Sequence, residues 1–373
     1  AILLDASQSN YQEILFLPQK SQKKEFWEGF YFGISTEKEN KKNRDLIGFS
    51  EIISVHKLNQ VLLSKIEGTK KIGLIWHEYL DGNQKKIFKD ANYYFKKKSE
   101  KFFKKNNLQA EIVNLMPEVL TTRMAMDEVD LQLTKKAHAF LTAAFLKLLK
   151  KIPSLKSEAE VAHYLTWELH KRTHHGLSFP MIVASGKNAA ILHYNKNNDP
   201  IHKNDLVLID FGIRYQNINI DVSRTIPSSG KFNPLQKILY QIVLDAQKLV
   251  EKSAKAGITI TELNKICWDD INHNLQIRII EQGGTVNLKY KGFCPHFVSH
   301  LIGYQTHDGD PFRLYRNTSL KKGNIISNEP GLYGEFSLTI DQQLFHEELG
   351  IRIEDNLLIL DDTCENLTAM CPK

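Results

Sequence analysis

Residues 206 to 225 read Leu-Val-Leu-Ile-Asp-Phe-Gly-Ile-Arg-Tyr-Gln-Asn-Ile-Asn-Ile-Asp-Val-Ser-Arg-Thr, and the fold is decided there. Leu206 to Phe211 is an almost unbroken apolar run and Ile218 to Val222 alternates apolar with polar, both strand patterns, so the polar centre has to turn. A tip at Tyr215 and Gln216 sets Asp210 directly across from Asp221. Opposed side chains in an antiparallel pair lie ~5 Å apart at Cβ. At an effective dielectric of ~20, two anions at that separation repel by roughly 3 kcal/mol. An apolar hairpin that holds such a pair points to a bound cation. A register off by one would instead turn one aspartate to water.

Length and composition bound what surrounds the hairpin. The 373 residues exceed the ~250 to 300 at which single cores divide, so two domains are expected. The formal charge is +6, with much of the excess in lysine clusters such as Lys96, Lys97, Lys98, Lys101, Lys104 and Lys105. These read as one solvated helix face; without aromatic or arginine interleaving they give no nucleic-acid site. The four cysteines Cys267, Cys294, Cys364 and Cys371 lack metal-type pairing and fit a reducing, cytoplasmic compartment. No apolar run approaches the ~18 residues of a membrane span, and no signal-peptide pattern opens the chain. The Asn-x-Ser/Thr sites at Asn317 and Asn366 then read as chance matches. The strand-like Ile2-Leu3-Leu4 directly after Ala1 suggests that native residues precede it.

Up to Pro117, apolar runs at Ile14 to Leu17, Ile72 to Trp76 and Ile112 to Leu115 alternate with helix-prone stretches at Lys20 to Phe30 and Ala91 to Lys105, an α/β pattern with parallel strands. Trp27 reads as core, or else as a residue that covers an active site elsewhere in an assembly. Residues 118 to 373 form the second domain. Ala137, Leu141, Ala144, Phe145 and Leu148 recur at helical spacing as far as Pro153. Ser157 with Glu160 and Thr259 with Glu262 form capping boxes, and Asn233 before Pro234 opens a long amphipathic helix. Phe179 to Ser185 reads as a strand ending at Gly186. Helices then strands, twice over, indicate an α+β domain of two similar halves.

Three further segments can complete a cation pocket. His296 and His300 follow Pro295 four residues apart, which on a helical turn places them on one face, and His307 comes soon after. Glu329 sits where a strand ends, held extended by Pro330. In Gly350-Ile351-Arg352-Ile353-Glu354-Asp355 the two isoleucines face one way while Arg352 and Glu354 face the other. That pair is either a plain salt bridge or a metal ligand beside its orienting partner. Four carboxylates and one imidazole balance two divalent ions, and such an oxygen-rich set favours Mn²⁺ over a thiolate-type zinc site. Two such ions hold a bridging hydroxide near neutral pH and polarise a carbonyl, which is machinery for amide hydrolysis.

Together these residues resemble the pita-bread metallopeptidases, the family of methionine aminopeptidase, aminopeptidase P and prolidase. The family's five ligands are an Asp-x-Gly aspartate, a second Asp before x-Ser/Thr-Arg-Thr, a His, the Glu of Glu-Pro-Gly and a final Glu. They fall in order on Asp210, Asp221, His300, Glu329 and Glu354. The resemblance implies that Asp210 chelates one ion, that Asp221 and Glu354 bridge both, and that His300 and Glu329 hold the other, with Glu329 also assisting proton transfer. Gly350-Ile-Arg-Ile-Glu-Asp, Glu365-Asn-Leu-Thr-Ala, Ile191-Leu-His-Tyr and Lys24-Glu-Phe-Trp-Glu-Gly resemble the aminopeptidase P (Xaa-Pro aminopeptidase) branch. On that likeness His193, His296, His307 and Tyr333 line the substrate pocket, with His296 and His307 steadying the scissile carbonyl and the tetrahedral intermediate, and Arg352 supports the site. The likeness covers the catalytic domain and the second half of a partial, creatinase-like N-terminal α/β domain, and implies a missing start and a missing short C-terminal tail. Two departures stand out: Ser223 replaces the usual threonine, and Phe297 stands where the family commonly has glycine.

The expected activity is removal of the first residue from peptides with proline second, using two divalent ions, Mn²⁺ first with Co²⁺ or Zn²⁺ as alternatives. A homodimer or homotetramer is implied by the same resemblance. An Xaa-Pro dipeptidase (prolidase) is the alternative; a non-catalytic pita-bread peptide-binding module or creatinase-like chemistry is disfavoured by the intact ligand set.

Overall fold

The computed structural model describes residues 2–6, 11–66, 68–81, 84–290 and 294–373, and Ala1 lies outside them. The chain divides into two compact units, Ala1–Pro117 and Glu118–Lys373. In the first, the strand Gln12–Leu17 pairs parallel to Glu51–Ser54, and Lys71–Leu74 pairs parallel to Glu111–Asn114. Ile2–Asp5 adds an antiparallel edge. Ile14, Phe16, Ile52, Trp76 and Phe103 are buried there. Trp27 is not core: it is 74% exposed, on a helix, Gln22–Glu28, that has no buried residue. Seven residues rich in Lys and Glu are too short and too polar to press one face onto a sheet. Nor is the lysine face wholly solvated, because Lys96 lies over the Trp76 ring at 4.7 Å from its centroid, an attraction that draws a cation onto an aromatic face.

The second unit repeats one plan. The helices Glu128–Lys151 and Glu158–His170 precede the sheet of Ile182–Ser185, Leu206–Phe211 and Val222–Pro227. The helices Pro234–Ser253 and Ile260–Leu275 precede the sheet of Thr285–Leu288, Gly331–Ile340 and Gln343–Arg352. A third sheet joins Ile325–Asn328, Asp355–Ile359 and Cys364–Asn366. Each helix pair buries its apolar stripe against its own cluster, one built on Leu141, Phe145 and Leu165, the other on Leu239, Val243 and Trp268. Reciprocal capping boxes close at Asn233 with Gln236 and at Thr259 with Glu262. The box expected at Ser157 is half formed: Ser157 Oγ accepts from the Glu160 amide, while the Glu160 carboxylate takes the Lys156 amide instead. No helix among the described residues is long and apolar enough to cross a membrane.

The hairpin turns one residue later than its pattern predicts. Gln216 and Asn217 form the tip, with Gln216 at φ 54°, and Tyr215 pairs with Ile218. Asp210 therefore faces Ser223, and Asp221 lies two residues along on the diagonal. Because the shift is even, both aspartates stay on one face of the sheet, while the like charges avoid direct opposition. Between the two short ladders the strands come very close: a Cβ on Gly212 would collide with the carbonyl of Ile220, so only glycine fits the Asp-x-Gly position.

Candidate active site

Five chain segments converge on one cavity of about 360 Å³ in the second unit. Asp210 comes from the strand Leu206–Phe211, and Asp221 from the gap before Val222–Pro227. Glu329 follows Ile325–Asn328, and Glu354 sits between Gln343–Arg352 and Asp355–Ile359. His300 arrives on irregular chain. The helical turn expected at His296 to His300 does not form, because the backbone of that segment is committed to a neighbouring strand. Glu329 N–H donates to the Val298 carbonyl and Ser327 N–H to that of His300, each at 2.9 Å. In extended chain a spacing of four also keeps both histidines on one side.

One ligand atom from each of Asp210, Asp221 and Glu354 lies within 4.8 Å of the others. The same holds for His300, Glu329 and Glu354, and for Asp221, His300 and His307. The carboxylates are deeply sequestered: Asp221 is 6% exposed and Glu354 is 2% exposed. Asp210 Oδ1, Asp221 Oδ1 and Glu354 Oε1 are buried with no hydrogen-bond donor. Burial first, and then the neighbouring carboxylates, push Asp221 and Glu354 well above the usual carboxylate range, while burial raises Glu329 to about 7. Burial also lowers His300 to about 3, leaving its ring neutral with a free lone pair. Unpartnered buried oxygens and a neutral imidazole aimed at a common centre are the donor set a divalent cation requires.

Arg352 ties this set together. It is 4% exposed and donates to Asp210 Oδ2 at 2.6 Å, to Ser223 Oγ at 2.8 Å and to the Tyr333 hydroxyl at 3.1 Å. Ser223 Oγ donates in turn to Glu354 Oε2 at 3.0 Å, so the serine supplies the hydroxyl expected of threonine. Tyr333 lies behind the cavity rather than in its wall, 3.0 Å from His296 Nε2. His296 Nδ1 is 2.9 Å from the Phe297 carbonyl, so it carries the proton and Nε2 accepts from Tyr333. Both nitrogens of His296 are thus engaged, whereas His193 and His307 are exposed at the rim.

Three contributors escaped the sequence reading. Ser327 donates to Glu329 Oε1 at 3.2 Å and takes the His300 amide at 2.9 Å; its place two residues before Glu329 on a strand was the available signal. Arg313 and Arg316 line the cavity, and no motif flags them. The Arg316 guanidinium lies 3.8 Å over the ring of Phe297, the residue that departs from glycine.

Known proteins share this architecture. Residues 132–361 match the profile of metallopeptidase family M24. An Xaa-Pro aminopeptidase from Haemophilus influenzae is 30% identical over 277 residues, which is 71% of this chain and 62% of that relative. This chain thus spans less than two thirds of the length of that curated relative. An Xaa-Pro dipeptidase from Pyrococcus horikoshii is 32% identical over 269 residues, covering 72% of this chain and 69% of the relative. A solved structure of aminopeptidase P from E. coli with the inhibitor Pro-Leu covers 100% of this chain and 83% of its own at TM-score 0.79 and 24% identity. The family profile spans more than half of this sequence, and the chain belongs to metallopeptidase family M24, with the α+β pita-bread fold.

Proposed function

We propose that the protein is a metal-dependent exopeptidase that hydrolyses the bond between the first residue of a peptide and a proline in second place. The single observation that carries the reading is the group of buried, donorless carboxylate oxygens of Asp210, Asp221 and Glu354 beside His300 and Glu329 in one cavity. Asp210, Asp221, His300, Glu329 and Glu354 would hold two divalent ions, Mn²⁺ being favoured by the oxygen-rich set. Bound there, the ions supply Lewis acidity and a water activated near neutral pH.

The chain's own groups do the rest. Glu329, in the cavity wall with Oε1 taking the Ser327 hydroxyl, is placed to accept the proton of the attacking water and return it to the departing proline nitrogen. Arg352 holds Asp210 in place, its Nη2 2.6 Å from Oδ2. His193 and His307, exposed at the rim, offer ring N–H groups to the carbonyl oxygen as it gains negative charge. Four free cysteines support a reducing, cytoplasmic setting.

Release of the first residue from an Xaa-Pro-Yaa tripeptide by Mn²⁺-loaded protein tests the reading, with an Asp210→Asn variant as control. The relative named as a dipeptidase motivates the second reading. Turnover of Xaa-Pro alone, with none of the tripeptide, makes the protein a prolidase.

A further inference from the structure

Of the three clustered carboxylates, Asp221 is the one that no side-chain donor grips. Asp210 takes Arg352 and Glu354 takes Ser223, whereas Asp221 Oδ1 has no partner and Oδ2 has His300 Nε2 at 3.9 Å. The hairpin does not grip it either, because one ladder ends at Asn219 and the next starts at Val222. Asn356 fills that gap. Its Oδ1 accepts the Asp221 N–H at 3.3 Å and its Nδ2 donates to the Asp221 carbonyl at 2.7 Å, so a side-chain amide replaces the missing strand partner.

The arrangement has one permitted orientation. The Asp221 N–H can only donate and its carbonyl can only accept, which fixes the Asn356 amide. His138 Nε2 lies 3.0 Å from the same Oδ1, the side on which a donor is needed, while its Nδ1 lies 3.1 Å from the Thr134 carbonyl. His138, 3% exposed, reaches Asn356 from the helix Glu128–Lys151. Asn356 itself is anchored mid-sheet, paired with Ser327 on one side and accepting the Leu367 amide on the other.

We propose that Asn356, backed by His138, is a positioning residue that sets the Asp221 carboxylate for metal binding; this rests on the metallopeptidase reading. Calorimetric titration of metal-stripped protein with Mn²⁺ tests it, alongside melting of the metal-free forms. Asn356→Ala is expected to weaken Mn²⁺ binding by roughly 10- to 100-fold, the usual effect of losing a group behind a ligand. His138→Leu moves affinity the same way, and His138→Gln, which retains a donor, recovers it. A purely structural role would lower the metal-free melting temperature and leave Mn²⁺ affinity unchanged in Asn356→Ala and His138→Leu, and that result overturns the inference. Wild-type protein that takes up none of Mn²⁺, Co²⁺ and Zn²⁺ overturns the metallopeptidase reading and this inference with it, whereas wild-type uptake with unchanged variants overturns this inference alone.

Discussion

Arg352 Nη2 donates to Asp210 Oδ2 at 2.6 Å, and the remaining guanidinium nitrogens are spent on Ser223 and Tyr333. Lysine brings one compact ammonium in place of a rigid fork and cannot satisfy three partners in these directions. Arg352→Lys should therefore lower kcat/KM for an Xaa-Pro tripeptide by roughly 10- to 100-fold through a loosened ligand set. Arg352→Met removes the charge outright. Breaking a buried pair costs about 3–5 kcal/mol, so denaturant unfolding of the metal-free variant should show a loss of that order, reduced when Mn²⁺ is added. Equal losses with and without metal would contradict the placement of Arg352 beside the cation site.

The acid cluster also predicts how stability follows pH. Asp221, Glu329 and Glu354 have folded-state values above those of free carboxyls, Glu329 at about 7. Their contribution is present at low pH and is lost as pH rises through the folded values. His138 and His296 at about 4 and His300 at about 3 act oppositely, but only below the ordinary histidine range, where the unfolded chain takes up protons. Asp355, held far below the usual carboxylate range against desolvation by Arg224, contributes a constant amount above the free-Asp value. Above about pH 7 the histidines are neutral in both states, and the acid cluster is joined, with the same sign, by Cys267, Cys364 and Cys371, whose thiols burial raises. Metal-free protein should thus melt at progressively lower temperature as pH rises above about 7, while saturating Mn²⁺ removes the acid cluster's share of the decline because ligation favours the ionised form. Thermal scans with chelator and with Mn²⁺ check this, and parallel curves would contradict it.

Phe297 and Arg316 form the wall that sets this chain apart from the expected glycine. A cation over a ring contributes about 0.5–2 kcal/mol, and the guanidinium is half-buried with its Nε unpartnered. Phe297→Gly should release Arg316 and widen the cavity, raising KM for tripeptides by roughly 2- to 30-fold on that energy scale with kcat little changed. Steady-state kinetics over an Xaa-Pro-Yaa series reads the split. A fall in kcat at constant KM would place the pair in the chemical step instead.

What was legible from sequence, and what was not, divides along local versus tertiary control. Strand alternation put Arg352 and Glu354 on one face and the isoleucines on the other, as observed, because period two is set within a few residues. The starts of the helices at Asn233 and Thr259 followed from capping chemistry for the same reason. The hairpin tip was misplaced by one residue because Gln216 accepts a left-handed conformation that its identity does not advertise. The helical turn at His296 lost to pairing with a strand some thirty residues away, and Trp27 was left exposed by a helix too short to bury it. Asn356 and His138 were invisible for a deeper reason. They are 218 residues apart, and each acquires meaning only through the backbone of Asp221.

Glu158 offers a last test of how the pocket is held open. It lies in the first turn of the helix Glu158–His170, fully buried, with no cation among its hydrogen-bond partners. Its carboxylate instead collects five donors: the Ser185 amide and hydroxyl and Asn188 Nδ2 on Oε1, and the Tyr194 hydroxyl and Asp199 amide on Oε2. The helix N-terminus adds a favourable field for the charge. All four donor residues belong to the segment that carries His193 to the cavity rim, and Gly350 lets a strand pack against that segment where a Cβ would strike the Ala189 carbonyl. Glu158→Gln puts an NH₂ where donors converge, leaving one or more buried groups unpaired at about 1–3 kcal/mol each. Tyr194→Phe removes one donor while the others still reach the carboxylate, and should cost only about 0.5–1.5 kcal/mol. The larger change should also free residues 186–199, seen as faster proteolysis there and a higher KM for tripeptides in Glu158→Gln than in Tyr194→Phe. Equal proteolysis and KM in the two variants, with stability lost in both, would confine Glu158 to the fold and detach it from the position of His193.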